Sequence, residues 1–174
     1  QQKLSEIAHN ETSNVARDIF TELNTKALIL SGLTPVRGEG IIITLKEGNR
    51  ANTKEINDWF LIHAEDLLNT INEVFSAGAE AVSINDQRVV TVSNILCSGP
   101  TISVNHTKIA PPFEIKAIGN PQVMESYLNM RGSYLDTLRN CKVEVKIMKQ
   151  NEITIPAYRG PFKFRYATPV LEGN

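Results

Sequence analysis

Residues 78–90 read GAEAVSINDQRVV, and they follow a helix-like run, AEDLLNTINEVFSA (64–77), with almost no punctuation between the two. What Asn85, Asp86, Gln87 and Arg88 do between two short apolar runs decides the kind of sheet this chain builds. Asn and Asp are residues that two-residue hairpin turns favour. The stretch therefore divides into two short strands, EAVSI and QRVV, joined at a hairpin tip. Arg88 is not explained by the turn. It enters a strand beside apolar residues, so it either pairs with an inward carboxylate or reaches a ligand.

Working outward, HAEDLLNTINEVFSAGA (63–79) is an amphipathic helix with Leu67, Leu68, Ile71, Val74 and Phe75 on one face and Gly78 as its stop. IIITL (41–45) is a β-branched run suited to the centre of a sheet, and KEGNRANTKEINDWF (46–60) is expected as an exposed polar loop. TISVN (101–105) and FEIKAIG (113–119) are further strands, separated by Pro111 and Pro112. Asn120 caps a helix that opens on Pro121, Gly132 interrupts it, and SYLDTLRN (133–140) supplies another helical turn or two. In CKVEVKIM (141–148), Val143, Val145 and Ile147 alternate with Lys142, Glu144 and Lys146, the pattern of an antiparallel strand with one wet face. EITIPAY (152–158) completes the set. This order predicts an α+β domain over residues 35–174, a ferredoxin-like split βαβ antiparallel sheet with helices on one face.

Ahead of it, Lys3 to Leu30 contains neither proline nor glycine, and Leu4, Ile7, Val15, Ile19, Phe20 and Leu23 recur at spacings compatible with one helical stripe. Ser5, Asn14, Arg17, Asp18 and Thr21 occupy the opposite face. Residues 1–34 are expected to form a long amphipathic helix, a stalk or coiled-coil-like segment, although Ala8 and Glu11 break a strict heptad. SGLTPVRGEG (31–40) is expected to end it. An unpaired apolar stripe of this kind points to self-association.

The composition of the 174 residues bounds the rest. With 18 basic and 19 acidic residues the formal net charge is -1, which provides no field to draw in nucleic acid. Two cysteines, Cys97 and Cys141, are too few and too far apart for a metal cage or a disulfide framework; buried free thiols are expected, with one bridge between them as the alternative. No run approaches the about 18 apolar residues of a membrane span. The chain opens on QQKLSEIAHN without methionine, so residue 1 is read as a processing boundary with further chain upstream.

Candidate chemistry is sparse. His63, Glu65 and Asp66 sit at a helix start, where acidic residues complement the dipole without any catalytic role. His9 and His106 have no second ligand at metal spacing. Cys97 and Ser98 precede a Gly-Pro turn but lack a nucleophile elbow, so a hydrolase built on Cys97 or the His63 group is the weakest reading. GEG (38–40) precedes a strand instead of following one, unlike a phosphate-binding loop. YRGPFKFRYATP (158–169) interleaves aromatic and basic residues and is expected as an edge strand or tail that buries the aromatics on one side.

The blocks GEGIIITL, HAEDLLNTINEVFSAGAEAVSINDQRV, CSGPTISVN, PPFEIKAIGNP and IPAYRGPFKFRYATPV occur in this order. Together they resemble the successive motifs of the bacterial domain of unknown function 881, the YlxW/YlxX-like proteins, over roughly residues 20–170. The resemblance implies a Gram-positive-type bacterial protein with a single N-terminal membrane helix, a coiled-coil-like stalk and an extracytoplasmic α+β domain. Such proteins are often encoded near cell-division genes, and the resemblance brings neither an established enzymatic activity nor catalytic residues. Motif matches at Asn85, Gln87, Arg88, Asn105 and Gly119 are interaction or structural candidates.

Two functional readings follow. The first is a non-enzymatic, membrane-tethered interaction domain that uses no cofactor, binds a protein partner, which includes a second copy through the N-terminal helix, and reaches the membrane through a preceding segment. The second is a small-ligand-binding or sensory domain using Arg88 and its neighbours Asn85, Asp86, Gln87 and Asn105.

Overall fold

The computed structural model describes residues 2–48, 61–161 and 164–170, with side chains from Val15 onward. Most of the expected loop at 46–60 lies outside the described residues. Helix α1 spans Gln2–Leu30. Strand β1 (Val36–Lys46), helix α2 (Ala64–Ser76) and the hairpin β2 (Ala81–Ile84) and β3 (Gln87–Arg88) follow. Then come β4 (Ile95–Ser98), β5 (Thr101–Val104), β6 (Thr107–Ile109) and β7 (Phe113–Ile118), then α3 (Pro121–Leu128), α4 (Tyr134–Asn140) and β8 (Glu144–Ile155). The fold is α+β with antiparallel sheets. Five strands lie in the order β3-β2-β7-β1-β8, and β4-β5-β6 form a separate three-stranded sheet.

Alternation along the strands sets the two faces of the large sheet. Ile41, Ile43 and Leu45 of β1 share a face with Phe113, Ile115 and Ala117 of β7, and with Val82 and Ile84 of β2. They form one core with Leu67, Ile71 and Val74 of α2, Met124 and Leu128 of α3, and Leu135 and Leu138 of α4. The reverse face carries a smaller apolar cluster of Ala81, Ile118, Ile153 and Ile155, with Val36 and Ile42 against it. IIITL is therefore a central strand, fully buried on the face of Ile41, Ile43 and Leu45 and half-buried on the face of Ile42 and Thr44.

Helix ends follow local chemistry. Asn120 Oδ1 accepts from the N–H groups of Gln122 and Val123 at 3.1 and 3.0 Å, with Pro121 in the first turn. α2 closes in a Schellman motif, in which Gly78 N–H donates to Phe75 O and Ala79 N–H to Val74 O. α1 closes the same way through Gly32 and Leu33. Gly32 has φ +72°, and a Cβ there would run into the Val90 side chain, so helix end and hairpin demand glycine together.

Several expectations need correction. Leu68 and Phe75 are 43% and 41% exposed, because the buried stripe of α2 runs Ala64, Leu67, Thr70, Ile71 and Val74. Thr70 fits that stripe because its hydroxyl donates to Asp66 O at 2.7 Å. β1 begins at Val36 and runs through GEG, which was expected to precede the strand. Gly40 there lies so close to Ala117 O that any side chain would collide with the backbone of β7, and the register of β1 against β8 shifts between Gly38 and Gly40. The two expected C-terminal strands are one, β8, whose pairing continues past that shift. Of the two expectations for residues 158–169, edge strand or tail, the described residues form no strand; Tyr158 is buried, whereas Phe164 and Tyr166 are 72% and 95% exposed.

Candidate functional site

The hairpin at Asn85 and Asp86 has φ of +43° and +61° at these two residues, the backbone of a type I′ turn. Both side chains serve the sheet. Asn85 Oδ1 accepts from Glu114 N–H at 2.9 Å, and its amide donates to Pro112 O at 3.4 Å. Asp86 pairs with Lys116 at 2.7 Å, and Glu114 lies 3.3 Å from the same ammonium. The Asp86 hydrogen bond, which outweighs the opposing desolvation, raises the Lys116 pKa above its ordinary value.

Arg88 is only 3% exposed. Among the described residues no carboxylate pairs with it, so the expected internal ion pair is absent. Its Nη2 instead donates to Ile29 O in the last turn of α1 at 3.3 Å, where the helix dipole favours a cation. Nη1 is buried and has no partner among the described residues. Burial lowers the pKa of the guanidinium from its ordinary value. The backbone carbonyl of Arg88 is held from the other side by Asn105 Nδ2 at 2.7 Å and Ser93 Oγ at 3.3 Å.

Asn105 comes from a second tight turn. Asn105 and His106 have φ of +49° and +70° between β5 and β6. That hairpin was not anticipated, although Asn-His between ISV and TKI is a hairpin signal of the same kind as Asn-Asp; the Gly-Pro turn read at LCSGPT does join two paired strands, β4 and β5. Asn105 Oδ1 is also buried without a donor among the described residues, as is Ser83 Oγ, whose residue pairs with Arg88 across β2 and β3.

Around these groups the hairpin tip, the β5–β6 turn and the chain leaving β8 enclose a cavity of about 350 Å³, lined by Asp86, Gln87, Arg88, Asn105, Pro156 and Arg159 among others. Four of the five candidates, Asp86, Gln87, Arg88 and Asn105, line it; Asn85 does not and acts as a cross-strand tie. Arg159 was not a candidate, since in the sequence it is one of three basic residues alternating with aromatics. Two arginines and one aspartate line the cavity, and Lys116 engages the aspartate's carboxylate.

The remaining candidates are structural. His63 N–H donates to Asp66 Oδ2 at 2.6 Å at the start of α2. Asp66 Oδ1 accepts from the Tyr134 hydroxyl at 2.6 Å, and burial together with that bond pushes the phenol up to about 12. Cys97 Sγ accepts from Ala64 N–H at 3.3 Å, with no imidazole bonded to it among the described residues. Both cysteines are free; Cys97 is exposed and Cys141 half-buried, against the expected burial. His106 is exposed in its turn, and His9 lies where side chains are not described. Gly119, with φ +157°, packs against the backbone of Gly78. No group of three metal-ligating side chains occurs among the described residues.

These features define a small α+β domain whose hairpin tip, second sheet and C-terminal segment meet at a cation-lined cavity. The family model for a bacterial protein of unknown function (DUF881) matches residues 24–168, and the chain belongs to that family. It is 31% identical to the UPF0749 protein YlxW of Bacillus subtilis over 122 residues, which is 70% of this chain and 53% of that protein. It is 27% identical to the UPF0749 protein Rv1825 of Mycobacterium tuberculosis over 146 residues, 82% of this chain and 47% of the relative. The chain thus spans about half the length of these relatives. A crystal structure of an uncharacterized conserved protein from Mycobacterium tuberculosis superposes with a TM-score of 0.67 at 26% identity, covering 83% of this chain and 96% of that one.

Proposed function

We propose that this chain is a non-enzymatic, extracytoplasmic interaction domain of a membrane-anchored envelope protein, associated with cell division, and that α1 is a stalk through which copies self-associate. The observation that carries the reading is the surface of α1. Val15, Ile19, Phe20 and Leu23 are 57%, 53%, 72% and 60% exposed, and every described side chain of the helix is exposed. A helix whose apolar residues recur at helical spacing gains from burying them, and a second copy offers the same stripe in the same register. On the outer side, Glu22 and Lys26 form an i,i+4 pair at 2.6 Å that suits a solvated face. Among the described residues no helix is long and apolar enough to cross a membrane. The proposal places the membrane anchor on the N-terminal side of the stalk.

Within this reading the domain has a ferredoxin-like core. The order β2-β7-β1-β8, with α2 joining β1 to β2 and α3 and α4 joining β7 to β8 on one face, supports it. The hairpin partner β3 and the β4–β6 sheet are additions to that frame.

Light scattering of the wild-type chain and of Ile19→Asp tests the helix. The wild type should form a dimer or a higher oligomer that the substitution dissociates. A wild type that stays monomeric at every concentration overturns self-association. Fractionation and external protease treatment of cells carrying the full-length protein test the tether, and a cytosolic, protected domain overturns it.

A further inference from the structure

We infer that two copies of this chain pair with their α1 helices parallel, and that the interface runs past the helices onto the domain bodies, where Leu30 and Phe75 of the two copies pack together. The inference rests on the self-association reading and adds to it a body surface and an orientation.

The apolar stripe of α1 does not stop on the helix. Leu30 follows Leu23 by seven residues and Ile19 by eleven, which at about 3.6 residues per turn puts all three on one face. It is 86% exposed, more than any other apolar side chain described on the helix. Leu30 also lines a surface cavity of about 300 Å³, whose other apolar walls include Phe75 of α2 and Val89 and Val90 beyond β3. The stripe is therefore continuous with an apolar patch on the body. One charge lies on it. Lys26 shares this face, but its ammonium is drawn to Glu22 at 2.6 Å on the margin of the stripe, which leaves its stem on the face.

The area argues for the body. Val15, Ile19, Phe20 and Leu23 each present on the order of 100 Å², about 400 Å² per copy, only half of the about 800 Å² per partner that a stable interface takes. Leu30, Phe75 and the two valines supply a large part of the remainder. The sequence argues for the orientation. A parallel pair brings both body patches to the same end and sets each Leu30 against its counterpart. In an antiparallel pair Leu30 and Phe75 would instead face the amino-terminal part of the other helix, where AHNETSN (8–14) is mainly polar.

Sedimentation equilibrium of the whole chain and disulfide trapping test the inference. The wild type should dimerise, and Phe75→Ser should weaken dimerisation about tenfold or more, the loss of an aromatic contact at an interface, while circular dichroism shows a folded domain. For trapping, Cys97 and Cys141, both free, are replaced by serine. In that background Leu30→Cys should form a covalent dimer under mild oxidation, and Thr21→Cys, on the opposite face of α1, should not. The trapping needs no change at Phe75, so it carries the test even where Phe75→Ser unfolds the domain. A wild type that stays monomeric at every concentration overturns the self-association reading and this inference with it. A dimer that Ile19→Asp dissociates overturns this inference alone if folded Phe75→Ser dimerises as tightly as wild type, if Leu30→Cys gives no crosslink, or if Thr21→Cys crosslinks equally well.

Discussion

Truncating Arg88 tests whether this guanidinium holds the N-terminal helix to the hairpin. Arg88→Ala removes one charge-assisted hydrogen bond to Ile29 O, a class worth about 1.5–3 kcal/mol, and its 3.3 Å length puts it at the low end. It also removes the burial of two methylenes, Cγ and Cδ, at about 0.8 kcal/mol each, a ceiling of about 1.6 kcal/mol. Opposing both, the substitution eliminates a buried cation with an unsatisfied Nη1, which offsets about 1–3 kcal/mol. The bonds from Asn105 and Ser93 end on the backbone carbonyl and survive. The net expectation is a loss of about 1 kcal/mol, or roughly 2–4 °C in Tm for a domain of this size. Arg88→Met keeps most of the stem burial while losing both the bond and the buried charge, so it should stay within about 1 kcal/mol of wild type. Urea unfolding followed by circular dichroism at two protein concentrations measures both and separates the effect from self-association. Hydrogen exchange at Gly32 and Leu33 should quicken in both variants. Two results refute the reasoning: Arg88→Met as damaging as Arg88→Ala, or an alanine cost of about 3–5 kcal/mol, the signature of a stranded buried partner.

Gly40→Ala should cost about 3 kcal/mol or more, since its Cβ meets the Ala117 carbonyl and the β1–β7 backbones must part; Gly78→Ala, with φ +94° but open space, should cost only about 1 kcal/mol in the same urea titration. Tyr134 is raised from 10 to about 12, first by burial and then by its bond to Asp66, so the folded state favours the neutral phenol. That contribution is complete below pH 10 and is lost as pH rises through about 12; Tyr134→Phe should therefore show a shallower fall in unfolding free energy over this window than wild type.

Much of the sheet was legible because its signals are local. IIITL is apolar at every position but Thr44, Asn120-Pro121 carries both a cap and a first-turn proline, and Asn85-Asp86 supplies the two residues that a type I′ turn requires. The errors arose where a local signal had a non-local cause. GEG resembles loop punctuation, but Gly40 is glycine because strand β7 passes against it, and that strand is more than 70 residues away in sequence. The aromatic alternation of the tail resembles an edge strand, yet after Tyr158 the described residues pair with no strand. Phe75 has the spacing of a core residue on α2, but the space beside it is a surface cavity shared with Leu30 of α1.

Arg88 shows most plainly where sequence reasoning stops. A buried arginine invites a search for an acidic partner, because a carboxylate is the one strong acceptor that a sequence can display. Every residue also carries a backbone carbonyl, and those in the last turn of a helix lack i+4 intrahelical donors and sit at the negative end of the dipole. Such an acceptor has no letter of its own. Ile29 serves through its position in the final turn, just before the Gly32 closure, and not through its side chain. The same holds for the contact that brings Asn105 to Arg88, which ends on a backbone oxygen. The residues of the cavity could thus be named in advance as polar and unexplained, while the arrangement that leaves one Arg88 nitrogen and one Asn105 oxygen unmet became visible only when two tight turns and a helix end were placed in space.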